Sequence, residues 1–384
     1  MQMLVLLSRI DNSGNWAEKG RKDGLPSPAY RMRAGKISRG DLSKLASAAV
    51  RHHARHETRL ISDSPVITIE ADVETLMSTV MSANTSSEFK NCFENAVENY
   101  CRRWPFRIRA GSRRILLGRP SVMGVLNVTP DSFSDGGIFF NEKSAVAHGL
   151  EMAGEGADFI DVGGESTRPG ASPVSAREEI RRVVPVIRKL TSGTNVPISV
   201  DTMKPEVAAA ALDAGASLLN DVSGLRKRKM RKLVSDRECP AIMMHMLGGP
   251  RTMQNAPAYQ DVVYEVCSFI SRRIEESESD GVDIRNILVD PGIGFGKTVE
   301  HNLQLLRELD ALHSLGKPVV LGVSRKSFVP ALTGEKEKRL EGSLAAALYG
   351  CAMGANIVRV HDVPETRRAL LVWNAVSGNA SFAP

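Results

Sequence analysis

The chain has 384 residues, 42% of them hydrophobic and 24% charged, which is ordinary for a globular protein and enough for one large domain or two medium ones. Aromatics at 5% are too few for a nucleic-acid stacking platform, and no apolar run approaches the ~20 residues that span a bilayer. The formal net charge of +6 is uneven: residues 1–118 hold 19 Lys+Arg against 12 Asp+Glu, and residues 119–384 hold 31 against 32, so a nucleic-acid-binding body is not expected.

Residues 1–105 read as a basic, partly disordered N-terminal extension. The apolar run 4–7 is too short for a signal peptide, and no small-residue cleavage site follows it. Residues 8–59 are rich in Ser, Gly, Arg and Lys with little periodicity, and include Arg51-His-His-Ala-Arg-His56. Such a stretch is expected to be flexible. It allows several readings: a tail, a start codon placed too early (Met32, Met77 and Met81 are later candidates), an organelle transit peptide, or a nucleic-acid or membrane-surface arm. Residues 64–103 look better ordered, with a strand near 66–69 and helices near 73–81 and 89–101. The histidines have no Cys or carboxylate company, so metal binding there is not favoured. The five cysteines are scattered without metal spacing, which points to reduced thiols and a cytoplasmic location.

Residues 107–118 form two short alternating runs about a Gly-Ser turn and read as a β-hairpin. Beyond it the pattern is regular. Strands are expected at 122–127, 159–162, 198–201, 218–220, 241–245, 287–290, 319–322 and 357–360. Helices are expected at 143–155, 175–190, 205–214, 227–235, 260–279, 299–315, 339–353 and 364–376. Strict alternation implies parallel strands with right-handed crossovers. Eight repeats over 106–384 are the count and size of a (β/α)8 TIM barrel, the α/β fold expected here; a doubly wound open sheet is the alternative.

Nearly every strand ends in small polar or charged residues: Asn127 and Asp131, Asp161 to Arg168, Asp201-Thr202, Asn220-Asp221, His245, Asp290, Ser324-Arg325-Lys326, and Arg359 with His361. One such residue alone would be read as a helix cap. All eight ends together, with Lys, Arg and His at the last two, read as an active site in the barrel mouth. Asp201, Asn220 and Asp290 suit a flat heterocycle with several N–H donors. Ser324, Arg325, Lys326, Arg359 and His361 supply cationic donors where barrels commonly hold phosphate. Asn127 offers an oxygen of the kind Mg²⁺ accepts, an ion that leans on substrate phosphates.

Asp290-Pro-Gly-Ile-Gly-Phe-Gly-Lys-Thr298 fits neither the Walker nor the GxGxxG spacing. It reads as a tight loop that lets backbone approach a planar ligand, with Phe295 as an apolar wall. The methionines of 243–253 are either core filler or contacts to the ring. His245 is either a structural hydrogen-bonding residue or a ligand contact.

Over about residues 106–378 the sequence resembles the dihydropteroate synthases of folate biosynthesis. The resemblance rests on Asn127-Val-Thr-Pro-Asp-Ser-Phe-Ser-Asp-Gly-Gly137, Gly164-Glu-Ser-Thr-Arg-Pro-Gly170, Ser199-Val-Asp-Thr202, Asn220-Asp221, His245-Met246 with Met253-Gln254, the 290–297 loop, Ser324-Arg-Lys-Ser-Phe328 and Arg359-Val-His361. It implies a transferase that condenses (7,8-dihydropterin-6-yl)methyl diphosphate with 4-aminobenzoate, with Mg²⁺ as cofactor and a homodimer through late barrel helices. It also implies the roles. Asp201, Asn220, Asp290 and Lys326 match pterin-binding positions, and Asn127 the Mg²⁺ contact. Thr167, Arg359 and His361 match contacts to the diphosphate-bearing substrate. Ser324 and the loops with Phe133 and Pro169 match the aminobenzoate side, where sulfonamides compete. Asp131 and Arg168 lie on those two loops, and Asp131, Asp201 and Asp290 would favour a cationic pterin methylene. Two rivals are a pterin-dependent methyltransferase of the corrinoid type and a catalytically silent paralogue acting as a binding protein. The first 105 residues have no counterpart in the compact bacterial enzymes.

Overall fold

The computed structural model describes residues 3–10, 29–102, 105–110, 113–129, 142–166 and 172–377. The chain divides into two compact units. One comprises Met1–Arg103, Tyr259–Arg272 and Leu303–Lys317; the other comprises Trp104–Ala258, Arg273–Asn302 and Pro318–Pro384.

The first unit contains β1 (Leu4–Ile10), β2 (Ala29–Gly35), α1 (Arg39–Arg51), β3 (Arg55–Ile61), β4 (Ser64–Asp72), α2 (Val73–Ser82) and α3 (Ser87–Cys101). The strands form an antiparallel sheet in the order β1-β2-β4-β3. Side chains alternate across a strand. Val5, Leu7, Met32, Ala34, Ile67 and Ile69 share one core with Leu45, Leu76, Phe89 and Phe93 of the helices. Ser38, Asp72 and Ser86 cap the three helices, each accepting from the N–H three residues on.

The residues between these apolar positions are buried too, among them Leu6, Ser8, Arg33 and Val66. Here the unit uses its two later segments. Arg33 Nε lies 2.6 Å from Asp261 Oδ2, and its Nη1 lies 2.7 Å from Glu308 Oε2. Arg31 Nη1 and Ser8 Oγ also donate to Glu308, at 2.7 and 2.9 Å. Burial alone would raise the Glu308 pKa, but Arg33 and Arg31 hold it down at about 2. Tyr100 Oη donates to Asp310 Oδ2 at 2.6 Å.

The expectation of a flexible stretch through residue 59 is therefore overturned for residues 29–59. Their apolar side chains are small and widely spaced, and the charged residues of β2 point into a buried, ion-paired face. Residues 11–28 lie outside the described residues. The division expected at residue 105 also left segments 259–272 and 303–317 to the barrel, whereas they belong to the first unit.

The second unit opens with the hairpin β5 (Phe106–Ala110) and β6 (Arg113–Leu117), paired with Ile108 opposite Ile115. Eight parallel strands follow: β7 (Ser121–Asn127), β8 (Phe159–Gly163), β9 (Ile198–Asp201), β10 (Leu218–Asp221), β11 (Ala241–Met244), β12 (Ile287–Asp290), β13 (Val320–Leu321) and β14 (Ile357–Val360). Their order is β12-β11-β10-β9-β8-β7-β14-β13, and a parallel bridge between Val289 and Val319 joins the two ends. Between the strands run α4 (Glu142–Gly154), α5 (Ala176–Gly193), α6 (Pro205–Asp213), α7 (Arg228–Arg237), α8 (Val262–Ser279), α9 (Val299–Arg307), a short α10 (Phe328–Thr333) and α11 (Leu340–Ala352), with residues 262–272 of α8 and 303–307 of α9 counted in the first unit; α12 (Val363–Val376) ends the series. This is the expected (β/α)8 barrel with its hairpin. The helix expected over 299–315 breaks: Leu309–Leu315 is a 3-10 helix that ends at Gly316 with φ +67°.

One apolar layer sets the register of the interior. Met123, Phe159, Leu218, Ile242, Leu288, Val320 and Ile357 pack together, with Ile108 and Leu117 of the hairpin in the same cluster. Because side chains alternate, the residue two positions further along each strand faces the same way. Those residues include Asp161, Asn220, Asp290 and Arg359.

Candidate active site

The polar layer above this core is tied together by a few bonds. Arg359 Nε donates to Asp161 Oδ2 at 2.6 Å, and its Nη2 donates to Asp201 Oδ2 at 2.7 Å. Asn220 Nδ2 donates to the same Asp161 oxygen at 2.8 Å. The ladder aligns Asn220 with Asp201, Gly163 with Asp201, and Asn127 with Gly163. Four of the five acceptor and amide positions, Asn127, Asp161, Asp201 and Asn220, thus come from neighbouring strands. The fifth, Asp290, accepts from Gly292 N at 2.6 Å. Asp161 Oδ1 is buried and has no hydrogen-bond partner among the described residues.

Burial dominates the electrostatics. It pushes Asp201 up to about 7, against the pull of Arg359, and raises Asp290. Burial and the Arg359 charge lower Lys326 to about 8. Burial also acts to lower Arg359, but Asp161 and Asp201 outweigh it and hold the guanidinium above its ordinary value. The floor is therefore a set of carboxylates and cations that neutralise one another.

The wall is built by the loop 291–298. Gly292, Gly294 and Gly296 have φ of +68°, +84° and +67°, a region that side chains rarely adopt. A Cβ on Gly292 would lie 1.9 Å from the His245 carbonyl oxygen. Phe295 is turned so that Lys326 Nζ sits 4.2 Å from its ring centroid. Lys297 Nζ bonds Phe295 O at 3.0 Å and His245 Nδ1 at 2.9 Å. Burial and the Lys297 charge hold His245 neutral, so it serves as a structural partner of that loop. Met244, Met246, Met253 and Val222 pack as one cluster with Met203 and Phe295 against it.

At the seventh and eighth strands, Ser324 Oγ accepts from His361 N at 3.2 Å and lies 3.1 Å from its Nδ1. His361 was expected to be a cationic donor. Burial and the Arg359 and Arg325 charges instead push it down to about 3, so it is neutral near pH 7. Arg325 was grouped with the same donors, but it turns away: it is half exposed and ion-paired to Asp362. Arg359 was expected at the diphosphate; its guanidinium lies on Asp161 and Asp201. Asp131, Phe133, Thr167, Arg168 and Pro169 lie outside the described residues. Of the remaining expected residues, Asp201, Asn220, Asp290, Lys326, Phe295, Ser324, His361 and Arg359 fall on this floor and wall. Asp161 was noted only as a strand end; its place two residues after Phe159 on β8 was the signal for a role.

The side chains present fit a magnesium ion of the kind that leans on a substrate. A Cβ on Gly163 would lie 3.8 Å from both Asn127 Oδ1 and Asp201 Oδ2, so glycine keeps space between these two oxygens. No group of three or more His, Cys, Asp or Glu that could hold a metal exists among the described residues.

The chain matches the family model described as pterin binding enzyme over residues 123–361. It is 46% identical to a dihydropteroate synthase of Escherichia coli over 261 residues, 67% of this chain and 92% of that one. Among solved structures it is similar to the Xanthomonas albilineans dihydropteroate synthase with 4-aminobenzoic acid, at TM-score 0.68 and 50% identity over 71% of this chain and 99% of that one. The same enzyme in complex with 7,8-dihydropteroate matches at TM-score 0.65 and 48% identity, over 71% of this chain and 98% of that one.

Proposed function

The chain belongs to the pterin-binding enzyme family, and on that premise we propose that it carries out the dihydropteroate synthase reaction, joining (7,8-dihydropterin-6-yl)methyl diphosphate to 4-aminobenzoate with release of diphosphate. The observation that carries this reading is the single layer in which Asp161, Asp201, Asn220 and Arg359 are hydrogen-bonded to one another. A buried carboxylate set of this kind needs donors. A pterin edge supplies them through its ring and exocyclic N–H groups, to Asp201 and Asp290 as acceptors and to the Asn220 amide. Lys326 and Phe295 would border the ring face.

Diphosphate leaves first in this proposal. With Ser324 donating to its Nδ1, the neutral His361 donates its Nε2–H to the diphosphate oxygens, and Arg359 adds a fixed positive charge that needs no proton transfer. Asn127 would hold Mg²⁺ together with the substrate's phosphate oxygens; when bound, that ion supplies charge neutralisation to the leaving group. The methylene left behind is electron-poor, and the carboxylates of Asp201 and Asp290, with Asp131, favour that charge. The aniline nitrogen of 4-aminobenzoate then attacks. It is weakly basic and carries its own lone pair, so the site needs no strong general base. On the same reading Thr167 would contact the diphosphate-bearing substrate and Arg168 would assist catalysis. A methyltransferase with no diphosphate to hold has no need of His361 beside Arg359, which disfavours that rival.

Two further assignments go with this reading. Tyr349 on α11 and Leu371, Val372 and Val376 on α12 are exposed apolar side chains on two packed helices, a face suited to a homodimer. All five cysteines are free thiols and no helix among the described residues is long and apolar enough to cross a membrane, which supports work in a reducing compartment such as the cytoplasm. The test of the reaction is direct. Purified full chain, Mg²⁺, the pterin diphosphate and 4-aminobenzoate should yield equimolar dihydropteroate and diphosphate, and absence of both products overturns the proposal.

A further inference from the structure

The antiparallel sheet of the first unit has two edges, and the chain treats them differently. β1 is covered: Leu7 N donates to Ser314 Oγ and Arg9 N to Asp310 Oδ2, each at 2.9 Å. β3, at the other end of the sheet, has one strand neighbour among the described residues. It faces solvent along its length: Arg55 and all of Glu57 to Leu60 are exposed, and Leu60 keeps 65% of its surface in water. Its register on β4 is fixed by a two-residue hairpin in which Ser62 and Asp63 take φ of 48° and 61°. An open edge of this kind offers its main-chain groups to another strand.

Charges on an edge commonly serve to keep strands off. Those of β3 oppose every extensive symmetric pairing but one. Two copies of β3 related by a two-fold axis must set opposed residues on the same face, so the axis passes between two copies of one residue. With Thr58 on the axis, all seven positions of the strand pair. Glu57 of one copy then lies opposite Arg59 of the other, on both sides of the axis. With Glu57 on the axis, its two carboxylates meet and Arg55 opposes Arg59. With Arg59 there, two guanidiniums meet. His56 or Leu60 as the centre leaves only three positions paired. Opposite charges directly across a strand pair stabilise it, and like charges destabilise it. In the single copy Arg59 Nε turns back along its own strand to Glu57 Oε1, at 2.6 Å. On the other face, pairing about Thr58 brings His56 and Thr58 of the second copy beside the exposed Leu60.

We propose that β3 is a self-recognition edge, on which a second copy of this chain pairs antiparallel about Thr58. The occupant is a second copy because the charges complement themselves. The two four-stranded sheets become one, whose remaining edges are the two covered β1 strands. The contact uses no residue of α11 or α12 and does not depend on the reaction proposed above.

The test uses the full chain carrying Leu371→Glu and Val372→Glu, which silence the apolar face of α12, and reads mass by sedimentation at micromolar concentration. This parent should be a dimer. Glu57→Arg and Arg59→Glu, each added to it, should weaken self-association tenfold or more and give monomers, because each sets like charges across the axis. An equimolar mixture of the two should recover the dimer, since one copy then offers two arginines and the other two glutamates. A folding defect in either chain does not produce that recovery. Thr58→Lys leaves Glu57 and Arg59 in place, sets two ammonium groups face to face and should also give a monomer. Residues opposed in an antiparallel pair have Cα atoms about 4.5–5.5 Å apart, a span that a disulfide bridges. Thr58→Cys should therefore cross-link two copies under diamide, above the level of the parent, whereas Leu60→Cys, opposite His56, should not. A monomeric parent overturns the proposal and leaves the edge to a different chain. A mixture that stays monomeric overturns it as well, as does cross-linking through Leu60→Cys equal to that through Thr58→Cys.

Discussion

Arg359 Nη2 and Asp201 Oδ2 lie 2.7 Å apart, joining the eighth barrel strand to the third across the interior. The same guanidinium holds Asp161 of the second strand. Arg359 is thus the counter-ion for two carboxylates that the pterin would otherwise have to neutralise. Asp201→Ala should lower pterin affinity by about 100-fold, equivalent to roughly 3 kcal/mol for a charged acceptor with more than one donor. Calorimetry with a dihydropterin decides it, and retained affinity would remove Asp201 from the floor.

Arg359→Met should act on stability as well as turnover. It leaves Asp161 and Asp201 buried without a counter-charge, which costs about 3–5 kcal/mol for a broken buried pair. A thermal melt that matches the parent would contradict the pairing.

The pH dependence should carry the signature of Lys326. Its folded pKa, about 8, lies below the ordinary lysine value because burial penalises the ammonium. Between pH 8 and about 10.4 the unfolded chain holds the proton that the folded chain has lost. This group therefore makes folding more favourable as pH rises through that window. Substrate turnover should move the other way, with kcat/KM falling above pH 8 as the positive charge disappears. In Lys326→Arg the falling limb should vanish, whatever the absolute rate; a limb that persists belongs to another group.

Gly292→Ala should disable the wall of the pocket. The φ of +68° disfavours a side chain, and its Cβ would lie 1.9 Å from the His245 carbonyl oxygen. The loop that aims Phe295 and Lys297 would have to move. Strain of this kind costs about 1–3 kcal/mol, and pterin affinity should fall more than tenfold. An alanine variant with parental affinity and melting temperature would show that the loop yields freely.

Chelation should separate turnover from pterin binding. With EDTA, dihydropteroate formation should stop, while the affinity for 6-hydroxymethyl-7,8-dihydropterin, which has no phosphate, should stay the same. Asn127→Ala should raise the Mg²⁺ concentration needed for half-maximal rate by roughly tenfold. Full turnover in excess EDTA would remove the metal from the mechanism.

Arg33→Met should destabilise the first unit by about 3–5 kcal/mol by leaving Glu308 and Asp261 unpaired. The melt of the full chain checks this; an unchanged melt would mean the pairing contributes nothing net.

The barrel was legible because each strand repeats one local rule: an apolar run, then a polar residue at the mouth. Leu218 and Asn220, or Leu288 and Asp290, show the inward period of two within four residues. The state of charge was not legible. His361 reads as a cation in sequence, and its burial, together with the Arg359 and Arg325 charges, makes it neutral. Arg325 and Lys326 are adjacent in sequence yet part ways, because Arg325 takes a positive φ of 56° and reaches Asp362. The extension was misread for a related reason. Tyr30-Arg-Met-Arg-Ala34 alternates as a strand should, but its charged face is buried against partners more than two hundred residues away, and no local pattern reports a partner at that distance.

That separation has a consequence for how the protein is made. Arg33 emerges from the ribosome 228 residues before Asp261 and 275 residues before Glu308. At roughly 5–20 residues per second, the wait is on the order of tens of seconds. Through that interval β1 and β2 can pair, but the sheet's second face carries an arginine with no counter-charge. The segment that carries Arg33 is thus completed only after residue 308 has been made. Chaperone dependence should therefore concentrate at the start of the chain and end only once residue 308 has cleared the exit tunnel.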